Sequence, residues 1–295
     1  MFKNQSGQVR AGWLIFLAFI AMLIVQQLFS LPGMLLLFFI EAPSSDYQDV
    51  LSALDAHPWI SLLTQGGGTA GGILITCLLW RFMNKRTLKQ LGFKGSLNDL
   101  WFGLILGALS ITVIFIILLA TANLTLLNSL ASPQFSLFTV TFLLLFILVG
   151  IFEEMFFRGY IMSTMETRGN KKWVIYVASA VIFSVAHLAN PNVSIIGLVN
   201  IALVGILFAY MFDATKSLWL PIGYHITWNY FQGNVFGFAV SGTTPNGIYG
   251  VEVAEGRDWL TGGAFGLEGG MLATVLIFVG FIATRLYARK ALRKS

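Results

Sequence analysis

Apolar residues in this chain come in long unbroken runs, not in the short alternating patterns of half-buried strands. About 20 consecutive apolar residues are enough to cross a bilayer as a helix. Eight runs come near or exceed that length and predict eight spanning helices: Ala11 to Ile40, Trp59 to Trp80, Leu100 to Ala122, Phe135 to about Met162, Trp173 to Leu188, Ile195 to Phe212, Leu218 to about Val240, and Met271 to Tyr287. The first run is too long for the roughly 7–15-residue core of a secretion signal. Pro32 is expected to tilt or interrupt it. The fold class is therefore an all-α polytopic membrane protein of about eight transmembrane helices.

Polar segments separate the runs. Glu41 to His57 is an acidic loop with Glu41, Asp46, Asp49 and Asp55, and His57 reads as a solvated histidine ahead of Pro58. Arg81 to Asp99 is basic and is expected to lie along the membrane surface. An uncharged loop reaches Gln134, a charged turn spans Glu166 to Lys172, and the glycine-rich, acidic stretch Ser241 to Gly270 reads as an irregular outer loop. In the second run, Gly66 to Gly72 (GGGTAGG) sets small residues four apart, which lets helices approach closely. It lacks the Lys-Ser/Thr and the preceding strand of a phosphate loop. The chain thus divides into residues 1–134 with three helices, 135–240 with helices 4 to 7, and 241–295 with the outer loop, an eighth helix and a basic tail.

Composition and charge sharpen this. The 295 residues are 57% hydrophobic and 11% charged, against about 25% charged in soluble domains. The basic residues behind the net charge of +5 flank the apolar runs and form no stripe. Membrane lipids, and not nucleic acid, are the expected partners. A single cysteine, Cys77, excludes an intrachain disulfide and reads as a packing residue. With the amino terminus in the cytoplasm, every lysine and arginine except Arg158 and Arg257 falls on the cytoplasmic side, as the positive-inside rule requires. Both termini are then cytoplasmic, and a bacterial plasma membrane is the expected location. Every tryptophan but Trp228 sits at or beside a span end, where interfacial anchors belong.

The fourth run ends in GIFEEMFFRGY, Gly150 to Tyr160. An ionisable group in an apolar span costs about 2.5–3.5 kcal/mol or more, so Glu153, Glu154 and Arg158 together call for a reason. On a helix Glu154 and Arg158 share a face and can pair, whereas Glu153 points about 100° away and has no local partner. A surfacing helix end with one ion pair is the plain alternative. Two of the three histidines also lie inside spans: His187 in FSVAH, four residues after Phe183, and His225 in HITWN, four residues before Asn229. If the charged turn caps a helical hairpin, Glu153 and His187 each lie about 22 Å along their helices from it and face one another. His225 and Asn229 enter about 13 and 20 Å along theirs, and a distortion at Pro221 is expected to absorb the difference. A carboxylate in an apolar pocket suits a general base, imidazoles can orient water or bind a metal, and a carboxamide can donate to an oxyanion. Glu153, His187 and His225 also make a three-ligand set of the zinc type, although H-E-x-x-H is absent. Ser184 has no GxSxG context and reads as a packing residue.

These motifs, EEMFFR as E-E-x-x-x-R, FSVAH as F-x-x-x-H and HITWN as H-x-x-x-N, resemble those of the CAAX-protease and bacteriocin-processing family of intramembrane endopeptidases. The resemblance covers about Phe135 to Asn234. It implies an intramembrane peptidase acting on a membrane-associated, lipidated or bacteriocin-like peptide substrate. It further implies Glu153 as the water-activating base, His187 and His225 holding the water, and Asn229 at the oxyanion. Glu154 joins this catalytic set in a mainly structural or positioning part, with Arg158 and Phe183 as support. Glu153, His187 and His225 would be the ligands if a metal such as zinc is used. The site is expected to open to the cytoplasmic half of the membrane. Two other classes of function fit a buried polar cluster: a non-catalytic scaffold or bacteriocin self-immunity protein, whose interhelical contacts would be worth about 0.6 kcal/mol each, and a transporter. The latter is disfavoured by the lack of an internal repeat.

Overall fold

The computed structural model describes residues 2–3, 7–41 and 47–292. Asp46 of the predicted acidic loop and the outermost residues of the basic leader and tail, including Arg293 and Lys294, lie outside the described residues. Helix α1 is Ala11–Glu41, α2 is Tyr47–Ala56, α3 is Pro58–Phe82, α4 is Leu97–Ala120 and α5 is Leu137–Thr167. Helix α6 is Lys172–Ala186, α7 is Ile195–Thr215, α8 is Trp219–Tyr230, α9 is the single turn Asp258–Thr261 and α10 is Met271–Leu292. Six of them, α1, α3, α4, α5, α7 and α10, are long and apolar enough to cross a membrane. The protein is an all-helical polytopic membrane protein, as the apolar runs predict.

The other two predicted spans are helical but short. Helix α6 has 15 residues and α8 has 12, below the about 20 that a lone span needs. Helix α6 stops where His187 leaves helical geometry (φ −95°, ψ 2°), four residues before Pro191. Helix α8 begins after Lys216, whose left-handed conformation (φ 55°) breaks the chain from α7, and runs on into a π-helical turn, Phe231–Val235. Pro221 lies in the first turn of α8, where its missing N–H is unneeded, so it does not distort the helix as expected. Pro32 does not interrupt α1 either. Next to it, Gly33 packs so closely on α3 that a Cβ would stand 2.2 Å from Thr64 Oγ1. Packing of this kind is what lets membrane helices tolerate proline.

The predicted irregular outer loop carries some order. A two-stranded antiparallel sheet pairs β1, Leu124–Leu126, with β2, Val251–Val253. His57 is not simply solvated, because its Nε2 lies 2.5 Å from Glu41 Oε1.

The bundle has two distinct ends. At one, the basic connectors meet: Arg168 Nε donates to Val9 O at 3.0 Å, Asn84 Nδ2 to Thr164 Oγ1 at 2.7 Å, Leu218 N to Gly92 O at 2.9 Å and Tyr287 OH to Asp99 at 2.7 Å. At the other, the sheet, the 188–194 turn and the 236–270 segment lie together, with Asn190 Nδ2 donating to Ser241 O at 3.0 Å. Exposed tryptophans mark both levels, Trp101 and Trp173 at the basic end and Trp59 and Trp259 at the other.

Candidate active site

Helix α8 is largely enclosed, with Leu220 to Ile226, Trp228 and Asn229 all buried. Glycines make this enclosure possible. A Cβ at Gly103 of α4 would stand 2.2 Å from Leu220 O, one at Gly107 2.4 Å from Tyr224 O, and one at Gly223 2.5 Å from Leu100 O. The two backbones therefore touch, and Thr227 Oγ1 adds a hydrogen bond to Leu104 O at 2.8 Å. With that face pressed on α4, His225 and Asn229 are left, one turn apart, for the opposite side.

Helix α5 supplies the carboxylates. It starts at a Ser136 cap reinforced by Thr139 and is regular through Glu153, then continues as a nine-residue π-helical segment, Glu154–Met162, buried throughout. Wide π turns are rare and recur at functional sites. Here the change of pitch falls between the two glutamates. Arg158 Nη1 donates to Glu154 Oε1 at 2.9 Å, and both side chains have 0% exposure. This is the predicted pair. Arg158 Nη2 also reaches Gly205 O of α7 at 3.4 Å, and its guanidinium lies 4.3 Å from the Phe183 ring centroid and 5.1 Å from that of Phe208. Aromatic faces are a favourable surrounding for a desolvated cation. Phe183 thus supports Arg158 directly.

His225 joins the two carboxylates. Its Nδ1 donates to Glu154 Oε1 at 3.0 Å, and its Nε2 lies 3.8 Å from Glu153 Oε2. The closer of the two contacts goes to Glu154. The contact with Glu153 is attractive only with a proton on one of the two groups. Arg158 Nε, Glu154 Oε2 and Glu153 Oε2 have no hydrogen-bond partner among the described residues.

Glu153, His187, His225 and Asn229 line one cavity of about 410 Å³. Glu153 retains 20% side-chain exposure, where Glu154 has none. His187, at the end of α6, donates from Nδ1 to Phe183 O at 2.8 Å. A carbonyl can only accept, so the neutral ring carries its lone pair on Nε2. Asn229 is buried on the cavity wall. Ser184 is structural, its hydroxyl donating to Leu198 O at 2.8 Å.

The zinc set is not assembled. Among the described residues no three His, Cys, Asp or Glu are grouped as a metal ion requires, and His225 Nδ1 is taken by Glu154. The cavity lies at the expected depth, but its wall has a side that was not expected. Its outer wall is formed by Ala189, Asn190, Pro191, Ser241 and Thr243, at the end away from the basic connectors, whereas the sequence reading placed its opening on the basic, cytoplasmic side.

Three contributors were missed. Phe19, Met22 and Gln26 of α1 line the cavity, although α1 lies outside the motif-bearing region. Glu268 also lines it, 8% exposed, accepting from Gln232 Nε2 and, at 3.4 Å, from Ser241 Oγ. Burial pushes the Glu268 carboxyl above its ordinary value, against the hydrogen bonds from Gln232 and Ser241. The available signal was a lone acid among glycines, GLEGG, just before the last span. The π segment has no such signal.

Residues 135–231, about a third of the chain, match the family model described as type II CAAX prenyl endopeptidase, Rce1-like. No curated protein and no solved structure matches the chain.

Proposed function

From the premise that residues 135–231 belong to the Rce1-like family of type II CAAX prenyl endopeptidases, membership of which implies an intramembrane protease, we propose that this chain hydrolyses a peptide bond within the membrane, with Glu153 as the base. The observation that carries this reading is the meeting of Glu153, His187, His225 and Asn229 on one cavity, above a buried Glu154–Arg158 pair. A water in the cavity would donate one hydrogen to Glu153 and the other to His187 Nε2, leaving a lone pair to attack the scissile carbonyl. Attack moves the water proton to Glu153 and makes a tetrahedral oxyanion, to which Asn229 donates its amide N–H. Collapse breaks the C–N bond, and the proton held by Glu153 passes to the leaving amine. His225, tied to Glu154, holds the Glu153 side in place and keeps the charge balanced. Arg158 and Phe183 keep Glu154 in position.

The same proposal sets the frame. All eight apolar helices cross the membrane, the two short ones, α6 and α8, inside a jacket of longer neighbours. Both termini are cytoplasmic, the membrane is a bacterial plasma membrane, and the partners are lipid and a peptide or protein substrate. Residues 135–240 form the catalytic core, with 1–134 and 241–295 around it.

The test is peptide cleavage by purified protein in detergent. Glu153→Gln is nearly isosteric, so it should keep the fold and lose turnover. A scaffold or immunity protein would tolerate the change in whatever binding it performs, and cleavage persisting at the wild-type rate in Glu153→Gln would remove Glu153 from the chemistry.

A further inference from the structure

Which side of the membrane the cavity serves decides what can be cleaved. Three observations bear on it. The lysines and arginines gather at one end of the bundle, with Lys94, Arg168, Lys171, Lys172 and Lys216 in its connectors. The cavity holding Glu153 is walled at the opposite end by the 189–191 turn and by Ser241 and Thr243. His187 ends α6 about 22 Å from Lys172 at 1.5 Å per residue, well past the middle of a hydrocarbon layer of about 30 Å.

The cavity found at the basic end is a separate one. Of about 310 Å³, it is lined by Lys94, Lys172, Asp213 and Lys216 and touches none of Glu153, His187, His225 or Asn229. Phe156, Arg158 and Tyr160 in the π-helical part of α5 are each 0% exposed and line neither cavity. The wall of the candidate site away from the basic connectors carries exposed Ala189 and Thr243.

Because basic connectors stay in the cytoplasm, we infer that the scissile segment reaches Glu153 from the extracytoplasmic side, so that the substrate is a peptide lying at the outer boundary of the membrane and not one held by a lipid tail in the cytoplasmic leaflet. This rests on the peptidase reading for the word substrate. The direction of the opening rests on geometry and charge alone. Gln26 and Leu23 of α1 also line the cavity, and Leu23 is 43% exposed on the outer surface of the bundle. A peptide still attached to a membrane anchor could therefore lie with its anchor beside α1 and its cleavable segment in the cavity.

The experiment uses single-cysteine proteins in a Cys77→Ala background, in right-side-out vesicles of expressing bacteria, treated with a membrane-impermeant thiol reagent. Thr243→Cys and Ala189→Cys should react in sealed vesicles, and Lys94→Cys only after they are opened. The reverse pattern, or mouth cysteines that react in neither state, overturns the inference. Two mouth positions guard against failure of either variant to fold. A bulky charged adduct at Thr243→Cys should slow peptide cleavage at least tenfold, while the same adduct at Lys94→Cys should not. If labelling follows the expected pattern but the wild type cleaves no peptide, the peptidase reading fails and the opening stands. If cleavage is seen while the mouth labels from the cytoplasmic side, the inference fails alone.

Discussion

Two three-membered ionic groups sit at different depths of this protein and behave as different kinds of object. In the core, Glu154 accepts from Arg158 and His225, with both Glu154 and Arg158 wholly buried. At the basic end, Asp213 accepts from Lys172, Lys216 and the Tyr176 hydroxyl, with the lysines 71% and 65% exposed. In both, a single carboxylate is the acceptor. Water is what differs. A lysine freed at the surface is rehydrated, and exposed pairs contribute about 0.2–1 kcal/mol. Breaking a buried pair leaves a charge with nothing to solvate it, at about 3–5 kcal/mol. An apolar replacement of a whole buried set is often neutral for stability, so the burial of this group is not by itself a source of stability.

The largest effect should come from cutting the buried group on one side. Arg158→Ala and Glu154→Ala should each lower stability by about 3–5 kcal/mol, read as a collapse in the amount of folded protein recovered in detergent. Both variants accumulating at wild-type levels while losing cleavage would erase the contrast and put Arg158 in the chemistry. A smaller loss is expected for Asn229, which lines the same cavity without charge. Asn229→Ala should keep its fold and lose about 10²–10³ in turnover, the value of one oxyanion donor, with KM little changed because the interaction forms in the transition state.

How far this was legible depends on the range of the interaction. The spans were readable because an apolar run needs no partner to declare itself, and α1, α3, α4, α5, α7 and α10 follow it. The Glu154–Arg158 pair was readable because i,i+4 is a local spacing. The shortness of α6 and α8 was not, because what makes a short buried helix acceptable is its neighbours: Gly103 and Gly107 against α8 lie over a hundred positions from it in the chain. His225 bonding Glu154 in preference to Glu153 was likewise out of reach, since it depends on the switch to π-helical pitch between the two glutamates. The residues at the cavity's outer wall were out of reach for a related reason. Charge along the chain marks the basic end, but the meeting of the 189–191 turn with Ser241 and Thr243 at the cavity wall exists only after packing.

Glu268 lies between the two cases, buried but outside the spans. Burial raises its carboxyl pKa above the ordinary value of 4.5 despite the hydrogen bonds from Gln232 and Ser241. In the pH window from about that ordinary value up to the raised one, the folded protein holds more protons at this site than the unfolded chain. Stability then falls as pH rises through the window, and the protonated form is the stabilising one. Glu268→Gln should remove this slope: relative to the variant, the wild type should lose thermal stability from acid toward neutral pH. A wild type that gained stability over that range relative to Glu268→Gln would show the carboxylate to be fully compensated in its ionised form.

The smallest effect is expected at Lys216, and two substitutions there separate charge from backbone. Lys216 pairs with Asp213 but also occupies the left-handed region at φ 55°, just past the end of α7. Both Lys216→Ala and Lys216→Gly remove the ammonium, leaving Lys172 and the Tyr176 hydroxyl on Asp213. For the alanine variant the loss should be at most about 1 kcal/mol and should shrink further in high salt, as exposed pairs do. Glycine adopts this conformation without a Cβ clash, and helix ends favour it at this position. Lys216→Gly should therefore match or exceed the alanine variant in thermal unfolding, even though its unfolded chain is the more flexible. A drop of several kcal/mol in both, insensitive to salt, would mean that the Asp213 cluster is shielded from water after all and that the contrast between the two ionic groups is not one of solvation.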